Sequence, residues 1–165
     1  MSIDKLRLLL LFVVFVLVQV LLLDRIHLFH CATPLLYVYF VVMFHRGYPR
    51  WASMLWGFVM GLTIDMFANT PGVASASMTL VAFIQPSLLE LFLPRDAEEN
   101  IKSSAKTLGT WNFSVLAALL VLTYCLIFFA LETFSFFNGL YWLQCAGASA
   151  LLTFGLIMAL ESLRR

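Results

Sequence analysis

Long apolar runs separated by short polar breaks occupy almost the whole chain. The first run is Leu6–Leu23, closed by Asp24-Arg25. A second spans 26–44 and stops at His45-Arg46-Gly47-Tyr48-Pro49-Arg50. A third, 51–69, ends at Thr70-Pro71-Gly72, and a fourth, 73–93, runs into the polar stretch Pro94–Thr107. The fifth, 108–131, is followed by the aromatic turn Glu132–Asn138, and the sixth, 139–160, leads to Arg164 and Arg165. An α-helix of roughly 20 apolar residues crosses a hydrocarbon layer of about 30 Å. The pattern therefore predicts an all-α membrane protein: one integral-membrane domain, 1–165, with about six transmembrane helices over 6–23, 26–44, 51–69, 73–93, 108–131 and 139–160.

Two prolines qualify the pattern. Pro34 has no backbone N–H and suits a first helical turn or a kink. The ordered part of the second helix can therefore begin near Thr33, leaving 25–32 as an interfacial hairpin and a helix that is short for a span. Gln85-Pro86 predicts a kink in the fourth helix. The first run resembles a signal peptide in its basic start, Lys5 and Arg7, but no small-residue cleavage site follows it, which predicts a retained helix.

Composition supports the bilayer as solvent. The chain has 165 residues, 62% hydrophobic and 12% charged, with mean hydropathy +0.96, where soluble domains are about half apolar and about a quarter charged. A soluble core of this size could not bury so much apolar surface. A formal net charge of +1 gives no electrostatic footprint for nucleic acid. With the N-terminus in the cytoplasm and six crossings, nine of the ten Lys and Arg fall inside and only Arg25 outside, a strong positive-inside bias. Trp51, Trp111 and Trp142 fall at segment ends, as an interfacial aromatic belt requires. These features predict a multi-pass inner-membrane protein with both termini cytoplasmic.

Candidate chemistry is sparse. The three cysteines, Cys31, Cys125 and Cys145, have no ligand spacing, two of them sit within apolar runs, and all three read as reduced thiols acting as small hydrophobes. His27, His30 and Cys31 are too few for a defined metal site. No nucleophile–base pair, phosphate loop or paired intramembrane carboxylates is recognisable, so neither enzyme activity nor a cofactor is expected. Gln19 and Gln85 read as interhelical hydrogen-bond partners. Glu90 reads as a snorkelling side chain, and Pro94–Thr107 as a solvated connector or docking surface.

Asp65 is the most informative position, because a carboxylate inside an apolar run is costly. Gly57, Gly61, Asp65 and Asn69 recur at four-residue spacing and share one helical face. The two glycines admit a close neighbour, making this face a candidate helix-packing or partner interface. Asp65 could bind a partner, cap the turn that contains Gly72, or relay a proton. Glu132, in Leu131-Glu132-Thr133-Phe134-Ser135-Phe136-Phe137, is either a snorkelling side chain or a partner-facing tip.

An ordered set of strings adds a resemblance. Gly61-Leu62-Thr63-Ile64-Asp65, then Pro71-Gly72 and Thr79-Leu80-Val81-Ala82-Phe83, resembles the rod shape-determining protein MreD family. Ala32-Thr33-Pro34, Pro94-Arg95-Asp96 and Leu131-Glu132-Thr133-Phe134-Ser135-Phe136 extend the likeness over nearly the whole chain. The resemblance implies a non-catalytic membrane subunit of the peptidoglycan elongation machinery. Its implied partners are the single-span protein MreC, the RodA glycosyltransferase, a transpeptidase penicillin-binding protein and, on the cytoplasmic side, MreB filaments. The family is also distantly similar to the substrate-binding subunits of energy-coupling-factor vitamin transporters, so a small-solute-binding subunit is the alternative. The short outer loops, poor in hydrogen-bonding side chains, disfavour that alternative.

Overall fold

A computed structural model describes residues 3–23, 34–93, 103, 105–133 and 139–164. All of the regular structure in these residues is helical. The elements are α1 (Ile3–Val18), a π-helical turn (Gln19–Leu23) continuing from it, α2 (Val38–Val42), α3 (Arg50–Ala68), α4 (Val73–Phe92), α5 (Ala105–Leu108), α6 (Thr110–Thr133) and α7 (Gly139–Arg164). Among the described residues, four helical stretches are long and apolar enough to cross a membrane: Arg50–Ala68, Val73–Phe92, Thr110–Glu132 and Leu143–Leu163. The chain is thus an all-helical, multi-pass membrane protein. The third to sixth apolar runs become α3, α4, α6 and α7, and α4 continues through Pro86.

The sides of these helices that face away from the bundle are apolar, with Leu55, Phe58, Leu62 and Met66 exposed on α3 and Leu119 and Leu122 on α6. In water such surfaces would drive aggregation, whereas against lipid they carry no penalty. Trp51 and Trp111, 72% and 79% exposed, begin α3 and α6. This is the headgroup-level position that an amphipathic indole favours.

The second apolar run departs from a regular span. Its described part is a turn from Pro34 followed by the five-residue α2, buried on every side. Its first half, together with the interfacial hairpin expected at 25–32, lies outside the described residues. Leu35 N–H donates to Thr153 Oγ1 on α7 at 3.0 Å. At 1.5 Å per residue, Thr153 lies about 21 Å from the Gly139 end of α7 and about 17 Å from its Arg164 end. The irregular backbone at Leu35 therefore sits near the middle of the membrane-spanning thickness. Such backbone is tolerated at that depth only when enclosed by protein that satisfies its polar groups.

The enclosing helices supply that satisfaction. Gln19 Nε2 donates to Pro34 O at 3.0 Å, and Leu36 N–H donates to Gln19 Oε1 at 3.1 Å. At the other end of the segment, Gln85 Nε2 on α4 donates to Phe44 O at 3.2 Å. The two glutamines expected to bridge helices thus bind main chain. The π turn begins at Gln19. Rings complete the packing: Phe12 of α1 meets Phe40 and Trp56 at 6.1 and 5.8 Å, and Phe15 meets Tyr39 at 5.8 Å.

These contacts also order the ends. The contacts Gln19–Leu36, Phe15–Tyr39 and Phe12–Phe40 run α1 antiparallel to 34–44. Leu35–Thr153 followed by Tyr39–Glu161 runs that segment along α7 towards Arg164. Ser114, early in α6, meets Met158, late in α7. The starts of α1, α3 and α6 and the ends of α4 and α7 therefore share one end of the bundle. All described Lys and Arg positions (Lys5, Arg7, Arg46, Arg50, Lys106 and Arg164) fall at that basic end.

One expectation about the cysteines is corrected. Cys125 is a free, buried thiol as expected, but Cys145 is disulfide-bonded. Spacing alone could not reveal this, because whether two cysteines can meet depends on the fold.

Replacing Gln19 with Leu strands one donor and one acceptor of the buried segment. An unsatisfied buried group costs about 1–3 kcal/mol. Gln19→Leu is expected to lower unfolding stability in mixed detergent micelles by about 2 kcal/mol or more, measured by denaturant titration. Leu10→Ala, on the exposed face of α1, serves as the control and is expected to shift the midpoint far less.

Candidate functional site

Gly57 and Gly61, which share one helical face by four-residue spacing, both lie against α4. A Cβ on Gly57 would lie 3.0 Å from Met78 O and 3.1 Å from Ala82 Cβ. One on Gly61 would lie 2.4 Å from Ser75 Cα and 2.6 Å from both Ala74 O and Ser75 N. The α3 and α4 backbones are therefore in van der Waals contact at Gly61, where any side chain would drive them apart. Contact this close between small residues is how helices associate in lipid, where no hydrophobic drive operates.

One turn further on, Asp65 is only 4% exposed. Its Oδ1 accepts from Ala74 N–H at 2.9 Å and from Thr70 Oγ1 at 3.0 Å, while Oδ2 accepts from Ser75 N–H at 2.9 Å. Gly72, the N-cap residue of α4, offers no side-chain oxygen to these amides. Asp65 supplies that acceptor from the preceding helix, and its charge sits against the positive end of the α4 dipole. Its own carbonyl receives the N–H groups of Asn69 and Thr70.

The turn geometry explains the other two positions. Asn69 takes a left-handed conformation, φ 57°, that closes α3. Gly72 has φ 86°, a value that glycine adopts without strain. Gly57, Gly61, Asp65, Asn69 and Gly72 thus form one unit, the α3–α4 hairpin. Of the roles open to Asp65 from sequence, capping is the one its hydrogen bonds perform. Glu132 is exposed near the end of α6 and takes no part in those bonds. The aromatic tip at 134–138 lies outside the described residues. Glu90 is exposed near the end of α4, as a snorkelling carboxylate should be.

A second group of polar side chains escaped sequence reasoning. The Tyr37 and Tyr124 hydroxyls are hydrogen-bonded to each other, and Tyr39 donates to the carboxylate of Glu161, which is buried in α7. With Thr153, these residues link the 34–44 segment to α6 and α7. Glu161 stands just past the last apolar run, 139–160, and Thr153 within it, and no local motif singles out either. The available signal was the pairing of a Tyr-rich run with a late acidic residue, and nothing local connects the two.

Among the described residues no group of three or more His, Cys, Asp or Glu is placed to hold a metal; His27, His30 and Cys31 lie outside them. No family model, curated protein or solved structure matches the chain.

Gly61→Ala is expected to destabilise the protein by about 1–3 kcal/mol through overpacking against main chain. Gly57→Ala, whose nearest contacts are 3.0 Å or more away, is expected to cost clearly less. Asp65→Ala strands two helix N–H groups and should cost more than Asp65→Asn, which keeps one acceptor oxygen. Denaturant midpoints of the four variants in one micelle system test both orderings.

Proposed function

We propose that this protein is a non-catalytic assembly subunit of the peptidoglycan elongation machinery in the bacterial inner membrane, acting in maintenance of rod shape. The observation that carries the reading is a coincidence of positions. Gly61, Asp65 and Gly72 stand in the strings that resemble the MreD family, and the same residues close the α3–α4 hairpin. A family signature is expected to fall at positions that the fold constrains, and these are such positions.

In this reading the chain crosses the membrane six times with both termini in the cytoplasm. Ile3–Leu23 is one passage away from the basic end, and the stretch ending at Phe44 is the return. The antiparallel course of α1 and 34–44 supports that count. Because Gly57, Gly61 and Asp65 are spent on packing within the chain, partners would meet the outward faces of the helices. An MreC-like single-span protein would dock there, with RodA, a transpeptidase penicillin-binding protein and MreB filaments joined directly or through it.

Affinity purification from native membranes in mild detergent, followed by mass spectrometry, tests the proposal. Co-purification of an MreC-like protein, RodA or a penicillin-binding protein is the expected result. Recovery of ATPases with a coupling subunit, or of a tightly held vitamin, would replace the proposal with the solute-binding alternative. Asp65→Leu is expected to reduce the recovered complex together with the stability of the hairpin, and wild-type complex with normal cell shape would contradict that.

A further inference from the structure

Cys145 is 5% exposed and disulfide-bonded, while Cys125 is free. Along α7, Cys145 stands about 9 Å from the Gly139 end and about 29 Å from the Arg164 end, at 1.5 Å per residue. The bond therefore belongs to the end of the bundle opposite the described Lys and Arg residues. Disulfides persist in oxidising compartments and are reduced in the cytoplasm. Basic residues collect on the cytoplasmic side of membrane proteins. Redox chemistry and charge are independent criteria, and they select the same side.

We infer that Cys145 is the site of a disulfide staple formed on the outer side of the membrane, and that the Gly139 end of α7 is the extracytoplasmic end. The oxidant is an exported protein dithiol–disulfide donor. A cysteine thiolate attacks a donor sulfur, giving a mixed disulfide, and the second cysteine thiolate displaces the donor. One S–S bond forms within the chain, two thiol protons are lost, and two electrons leave with the donor as its dithiol. Burial of Cys145 requires this exchange to precede closure of the bundle. The staple ties the outer part of α7 to the rest of the chain. Its neighbours further along the helix, Thr153 and Glu161, hold the 34–44 segment from the same helix. The inference rests on the membrane-spanning fold and is independent of a role in wall synthesis.

Mass-tagged maleimide counting tests the bond on membranes alkylated at harvest and dissolved in SDS. The chain has three cysteines, so one tag is expected before reduction and three after it. Cys145→Ser should give two tags both before and after reduction. Three tags on the unreduced wild type would overturn the staple. For the side, Leu140→Cys in an otherwise cysteine-free chain places a thiol at an exposed position. Labelling by a membrane-impermeant maleimide in spheroplasts is expected, and labelling only after lysis would overturn the orientation.

Discussion

An amide N–H within the hydrocarbon layer must find an acceptor in the protein, because no water is present to supply one. That constraint organises this molecule around residues 34–44. The chain is not a closed helix there, so Leu35 N–H, Leu36 N–H, Pro34 C=O and Phe44 C=O depend on side chains of Gln19, Thr153 and Gln85. Three different helices must stand at defined heights for these bonds to form. The positions of α1, α4 and α7 are thereby tied to one buried segment, and the Tyr37–Tyr124 pair ties α6 to it as well.

The α3–α4 hairpin solves the same problem more locally. Ala74 and Ser75, whose N–H groups open α4, are buried, and the N-cap residue Gly72 has no side chain to serve them. A carboxylate from the preceding helix accepts them, and this works only because Gly61 lets the two backbones touch. Close approach and capping are therefore coupled: widening the gap at Gly61 would pull Asp65 away from Ala74 and Ser75. The outer surface of α3, from Trp51 to Phe67, faces away from the bundle.

The four long apolar helices were legible in the sequence because their signal, a run of apolar residues ended by Pro, Gly or charge, is local. The shared face of Gly57, Gly61 and Asp65 was legible for the same reason, since helical periodicity alone brings them together. The use of that face was less so. Sequence spacing leaves a cap and a partner contact equally possible for Asp65, and the choice depends on where the N-terminus of α4 lies. In the second run Pro34 already predicted a late-starting helix, short for a span; that its regular part is only Val38–Val42 and enclosed on every side depends on the helices around it. Thr153 and Glu161 were beyond reach, because each acquires its meaning from a residue far away in the chain, and the bonded state of Cys145 depends on the fold rather than on spacing.

Among the described residues, the buried polar side chains Gln19, Asp65, Gln85 and Thr153 are all committed to the bundle's own backbone. The central claim is that the backbone of 34–44 is sealed inside the bundle at membrane depth. Hydrogen–deuterium exchange on the protein in lipid nanodiscs tests it directly. Protection of the Leu35 and Leu36 amides comparable to that of Leu116–Leu120 in the middle of α6 is the predicted result. Exchange of those two amides at the rate of an open loop, with α6 still protected, would contradict the account.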